Sequence, residues 1–238
     1  MRDQAGKASA AACTARATSS APPRGDLGDR APVRRIATHH QSADRAAAEA
    51  QHRELVGTDL FTAEVLTLRG LVTYYVLFFI HLESRRVDIA GITVHPDEPW
   101  MQQIARNVTM EGCGALRDCR YLLHDRDTKY SQSFRAIIAS GQVEPLVLPA
   151  RSPNLNAYAE RWVRSVREEC LSKVVLFGEH SLRRALREYV GHFHAERNHQ
   201  GKGNVLLFPR SANTRRDGPI QCRERLGGLL RYYHREAA

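Results

Sequence analysis

The chain predicts an α/β fold, a mixed five-stranded sheet built from an antiparallel three-strand meander and then alternating helices and strands, flanked by helices. Three observations carry this reading. The stretches VGTDLFTAEV, LVTYYVLFFIHL and RVDIAGITVH follow one another and are rich in β-branched and aromatic residues. They are separated by LTLRG and ESR, turn-like segments that suit antiparallel neighbours. Beyond them, short apolar runs alternate with amphipathic stretches, which places helices between the remaining strands.

Each later element has its own signal. PDEPWMQQIARNVTM, from Pro96 to Met110, opens with Pro and acids and spaces Trp100, Ile104 and Val108 four apart, a helix with one face on the sheet. RYLLHD predicts a short strand, SQSFRAIIAS a helix and VEPLVLPA another strand. In NAYAERWVRSVREECL, Ala159, Val163, Val166 and Cys170 form an inward stripe with Trp162 beside it. Glu160, Arg164 and Arg167 follow at i, i+4 and i+7 on a different face. Asn154 and Asn156 stand just before this helix, where Asn caps. LRRALREYVGHFHAERNHQG predicts a further helix with Leu182, Leu186, Tyr189 and Phe193 inward.

Composition divides the chain and narrows its class. Residues 1–54 hold 15 alanines and few large apolar side chains, too little to offset chain entropy, and predict a disordered or weakly helical leader, with a short helix from about Ser42 to Leu55. No paired apolar helices of the helix-turn-helix kind are visible there. Residues 55–209 predict the folded core. Residues 210–238, with seven arginines against three acids, predict a basic, moderately disordered tail. A net charge of +9 and pI near 9.7 suit a polyanionic partner and equally a generic basic protein. Five cysteines, an odd number with no CxxC pair, argue against a disulfide framework or structural zinc. The longest apolar run, LVTYYVLFFI, is far short of the roughly 18 residues of a membrane span. With no secretory pattern at the N-terminus, a reducing cytoplasm is expected.

Three acids carry the chemistry. Asp59 lies in VGTDLFTAEV, Asp125 ends YLLHDRD, and Glu160 opens a helix; 34 residues reading as helix, strand and turn separate the last two. Converging carboxylates suit hard divalent cations, and two such ions roughly 3.5–4 Å apart can activate an attacking oxygen and stabilise a leaving one on a phosphodiester. Asp127, two residues past the strand, and Asp88, inside the third strand, are the nearest rivals, Asp127 being better suited to a turn.

Taken together, GTDLFT, LFFIHLESRRVDIAGIT, HDRDTKY, PARSPNLNAYAERWVRSVREECL and YVGHFHAERNHQG resemble the integrase-core transposases with an Asp-Asp-Glu triad, in particular those of bacterial insertion sequences, over about residues 56–209. The resemblance implies a ribonuclease-H-like fold, the class whose element order is described above. It implies catalysis and Mg²⁺ or Mn²⁺ ligation, by two ions, at Asp59, Asp125 and Glu160. It implies DNA contacts from Arg164 and Arg167, and from Asn156, Arg197 and His199, for which capping or an exposed helix end is the plainer account. Partners would be element ends and target DNA, with a homo-oligomer assembled on them in a bacterial cytoplasm. Three functions stay open at this point: a strand-transfer enzyme, a truncated remnant that only binds DNA, and a nuclease of the same fold that hydrolyses without joining.

Overall fold

The first two apolar runs form one long hairpin, in which β1 (Leu55–Thr67) and β2 (Gly70–His81) pair antiparallel from Val56 opposite His81 to Thr67 opposite Gly70. Gly70 turns the chain at a φ of +109°, a conformation L side chains rarely adopt. β3 (Val87–Thr93) completes the meander on β2, with a bulge between Leu77 and Phe78. β4 (Tyr121–His124) then pairs in parallel with the other edge of β1, and β5 (Glu144–Val147) in parallel with β4. The sheet order is β3-β2-β1-β4-β5, a mixed five-stranded sheet with the expected antiparallel meander. The computed structural model describes residues 55–149, 156–209 and 218–235, all within one unit. The leader, its expected helix and Asn154 lie outside the described residues.

Four helices cover the sheet: α1 (Glu98–Val108), α2 (Gln132–Ser140), α3 (Ala157–Glu169) and α4 (Gly178–Ala195). The period of two in β2 sorts its side chains between them. Val76, Phe78 and Ile80 face a core with Trp162 and Val166 of α3 and with Leu182, Leu186 and Tyr189 of α4. Leu77 and Phe79 face a second core with Met101, Ile104 and Ala105 of α1 and Phe134 and Ile138 of α2. The sheet is therefore buried on both sides, which explains why β2 reads as an unbroken apolar run rather than an alternating one. Trp162 packs 4.3 Å from the Phe78 ring and 5.8 Å from Phe61. Burying such a side chain contributes on the order of 3 kcal/mol.

Local signals position the helices. Asp97 accepts the Trp100 N–H at 3.0 Å and caps α1, and Ser131 accepts the Phe134 N–H at 3.3 Å and caps α2. The face α1 buries is Met101, Ile104, Ala105 and Val108, with Trp100 at its border. α1 lies so close to β3 that a Cβ on Gly91 would stand 2.7 Å from both Ile104 and Trp100 side-chain carbons. The four α4 residues expected inward, Leu182, Leu186, Tyr189 and Phe193, are all buried. α4 also bonds to the sheet, since the His194 Nε2 accepts the Val87 N–H at 2.9 Å. Burial pushes His194 down to about 4, which keeps that nitrogen free to accept.

The C-terminal segment departs from expectation. Residues 218–235 are ordered: β6 (Ile220–Arg225) and β7 (Leu230–Arg235) form a hairpin turned by Gly227 and Gly228, with Leu230 inserted into the α3–α4 core. Three of the described arginines that read as part of a free basic arm, Arg223, Arg225 and Arg231, are partners of acids. Arg225 donates to Glu196 at 2.7 and 2.8 Å and to Glu188 at 2.7 Å, and Arg223 donates to Glu196 at 3.3 Å. Charge hid a hairpin whose Gly-Gly turn was the available signal. Glu196 is 5% exposed. Burial alone would raise its carboxyl, but Arg225, His192 and Arg223 hold it down at about 2. Because the folded value is depressed, the stability it contributes is complete above about pH 4.5 and is lost as pH falls toward about 2. Glu196→Ala leaves Arg225 only Glu188 as a counter-ion and should cost about 2 kcal/mol in chemical denaturation at pH 7, with the deficit against the parent shrinking below pH 4.

Candidate active site

The strand register brings two of the acids together. β1 and β4 run parallel with Leu55 opposite Tyr121, Val56 opposite Leu122 and Gly57 opposite Leu123. That register ends two residues short of Asp59 on β1 and of Asp125 beyond β4, so both acids follow the same end of the ladder. Both lie past the end of the shared ladder, where parallel strands present side chains to solvent. Asp59 Oδ1 accepts its neighbour Leu60 N–H at 2.7 Å, and Asp125 Oδ1 accepts the Asp127 N–H at 3.0 Å.

α3 supplies the third acid. Its first backbone bond runs from the Glu160 N–H to the Asn156 carbonyl at 3.1 Å. The Asn156 side chain makes no capping bond, contrary to expectation. Instead it is buried against β1, its Nδ2 donating to the Thr58 carbonyl at 3.5 Å, and a Cβ on Gly57 would meet its Oδ1 at 3.1 Å. Asn156 thus ties the start of α3 to the residue before Asp59, and Glu160 follows one turn along. The helix faces divide as the sequence predicts: Ala159, Trp162 and Val166 are buried, while Glu160, Arg164 and Arg167 are exposed.

The charges of the other two acids bear on Asp59. Asp59 is pushed up to about 6, chiefly by burial and further by the charges of Asp125 and Glu160, against the Leu60 N–H and the Arg167 guanidinium. Arg167 also stands 6.0 Å from the Phe61 ring of β1. A residue not assigned from sequence, Tyr130, closes the floor: it is 5% exposed, and its phenol is pushed up by burial and by the charges of Asp59, Asp125 and Asp127. It stood in the quoted block HDRDTKY, but nothing in the spacing shows that its ring reaches β1. His124 stacks on it at 4.9 Å and lies buried beneath Asp125.

Convergence is nonetheless incomplete. Among the described residues no three His, Cys, Asp or Glu side chains stand close enough to hold one ion. Like charges repel across the gap, two of the acids are engaged with backbone N–H groups, and Glu160 points into solvent from the first turn of α3. The donor set is oxygen only and includes a carboxyl that burial and its neighbours leave short of positive charge, which fits a hard divalent cation.

The rivals are occupied elsewhere. Asp127 accepts the Lys129 N–H and Nζ at 2.9 Å each; burial pushes its carboxyl up, and these bonds hold it below the usual range. Asp88 bonds Arg86 at 2.9 Å on β3. Three of the five residues considered for DNA are also engaged within the protein. Asn156 and His199 are buried, the latter with Nε2 bonded to the Phe193 carbonyl at 2.8 Å. Arg197 forks onto Glu169 at 2.6 and 2.9 Å, a bond shared with the Tyr189 hydroxyl at 3.1 Å. Arg164 and Arg167 alone remain exposed on the face that carries Glu160.

Residues 142–205, from the approach to β5 through the loop after α4, match the family described as Integrase core domain. No curated protein sequence matches the chain. Similar solved structures include the HTLV-2 integrase catalytic core domain in complex with magnesium, at 9% identity over 65% of this chain and 93% of that one, with a TM-score of 0.45. The catalytic domain of Mos1 mariner transposase is similar at 14% identity over 64% and 76%, with a TM-score of 0.47. The BIV integrase catalytic core domain is similar at 10% identity over 63% and 88%, with a TM-score of 0.45. At such identities no residue role passes from them to this chain.

The raised Asp59 carboxyl has a measurable sign. Its folded value lies above its unfolded one, so ionisation of Asp59 opposes folding at neutral pH, and the penalty is relieved as pH falls from about 6 to 3.8. In buffer with chelator at pH 7.5, Asp59→Asn should be more stable than the parent by about 1–3 kcal/mol, and thermal melts of the two should draw together by pH 4.

Proposed function

We propose that this integrase-core protein is a polynucleotidyl transferase that cuts DNA and joins the new end to a target, of the insertion-sequence kind its motif blocks resemble. One observation supports the reading: Asp59 on β1, next to the short parallel ladder with β4, feels the charges of Asp125 just past β4 and of Glu160 on α3.

Asp59 and Asp125 form the fixed half of the site, each held by a backbone N–H, and Glu160 the adjustable half, since its exposed side chain can swing inward. These are the residues that would hold Mg²⁺ or Mn²⁺, and two bound ions would supply activation of the attacking oxygen and stabilisation of the leaving oxygen. Tyr130 and Thr58 exclude water from beneath Asp59, which strengthens every charge interaction there. Arg164 and Arg167 follow Glu160 on the same face and would hold backbone phosphates in line with it. No side chain is required as a covalent nucleophile. Cutting and joining two DNA ends calls for more than one copy of the chain.

Asp59→Asn, Asp125→Asn and Glu160→Gln should each reduce Mg²⁺-dependent nicking and strand transfer to background while the circular-dichroism spectrum is unchanged. Activity retained by any one of them removes that residue from the site, and shortened products without joined ones identify a nuclease instead. Changing Arg164 and Arg167 together to Ala should weaken binding to all duplex sequences and flatten the slope of log affinity against log salt by about 1–2 units. An unaltered slope would return both to the role of solvated surface charges.

A further inference from the structure

A cavity of about 670 Å³ opens between α3, the β2–β3 turn and the loop after α4, and none of the three acids lines it. On α3 its lining comprises the buried Trp162 and, nearer the surface, Tyr158, Arg161 and Ser165. The last three share a stripe centred about 120° around the helix from Glu160, Arg164 and Arg167. The cavity and the active face therefore look in different directions from one helix.

The lining carries Arg85, Arg161, Arg197 and Lys202 and no acid. Arg197 is neutralised by Glu169 at 2.6 Å. Among the described residues Arg85, Arg161 and Lys202 have no carboxylate partner. Arg85 lies 3.1 Å over the Tyr158 ring, and Arg161 stands 5.6 Å from the same ring. Arg85 holds this place from a left-handed backbone, φ 63°, a conformation that costs energy in a non-glycine residue and persists where the surroundings impose it. Two buried donors in the lining have no acceptor: Arg85 Nη1 and the indole Nε1 of Trp162, a side chain only 1% exposed. The cations that line the cavity call for a ligand made of acceptor oxygens. Phosphate is that ligand: it offers acceptors only and meets the uncompensated positive charge. Tyr158 is already engaged by two guanidinium groups, so its ring is taken, and the basic lining suits backbone phosphate.

We propose that this cavity binds phosphate groups of a second DNA segment, distinct from the one held along Arg164 and Arg167. The identity of the polyanion rests on the reading of the chain as a DNA strand-transfer protein; the phosphate site itself does not. Because the two faces belong to one helix, α3 would sit between two DNA segments, as joining one to another requires.

The test uses the full chain carrying Trp100→Phe, so that Trp162 is the sole indole, and titrates inorganic pyrophosphate. A saturable change in Trp162 emission is expected, with affinity about fivefold weaker in Lys202→Gln and at least tenfold weaker in Arg85→Gln with Lys202→Gln. Lys202 is exposed, so its substitution keeps the test valid if the loss of Arg85 disturbs the fold. No change in emission, or one equal in all variants, overturns the phosphate site. In the Arg164→Ala, Arg167→Ala background, residual binding of labelled duplex DNA should be competed by pyrophosphate and should fall again with Lys202→Gln. Residual binding indifferent to Lys202 overturns the assignment to DNA. Loss of cleavage by the parent chain would instead defeat the proposed function and leave the pyrophosphate result standing.

Discussion

The site depends on the unequal pairing of β1. Its antiparallel partner β2 accompanies it from Val56 to Thr67, whereas its parallel partner β4 does so only from Leu55 to Gly57. Where the shorter ladder ends, Asp59 is still held rigid on one side and is open on the other. Thr58, just before it, is wholly buried and donates to the Phe78 carbonyl at 2.8 Å. A carboxylate so placed cannot move away from its neighbours, and its desolvation is imposed by the sheet. Asp125 is likewise held, by the Asp127 N–H, so of the three acids Glu160 is the one with an exposed side chain left to move.

Most of this frame was legible in the chain. The meander, the alternation of helices and strands and the inward face of α4 follow from periodicity and turn composition, because those patterns record burial directly. The three acids could be named by their places at strand ends and a helix start. Their separation could not. Whether three carboxylates close on one point depends on rotamers and on the charge between them, which local sequence does not encode.

Charged residues were the main source of error, for one physical reason. An arginine facing a phosphate and an arginine facing a glutamate have the same sequence context. Arg197 with Glu169, and Arg225 with Glu196, are pairs separated by 28 and 29 residues. No local window contains both partners. Asn156 and His199 erred in the other direction: polar side chains beside a basic helix read as surface, yet each is buried and spends its hydrogen bond on the backbone of a neighbouring element. The cavity beside α3 was likewise invisible, since Arg85, Tyr158 and Lys202 lie far apart along the chain.

The C-terminal hairpin redraws where the folded unit stops. The motif blocks end near Pro209, and a boundary placed there looks natural from sequence. Yet Leu230 belongs to the core between α3 and α4, and Glu196 keeps its charge in a dry setting because Arg225 reaches it from β6. A chain trimmed to its motifs would lose an apolar plug and a counter-ion together, and the end of α4 would have to admit water or take up a proton. The last strands are the clasp of the folded unit, which runs past the family signature to Arg235.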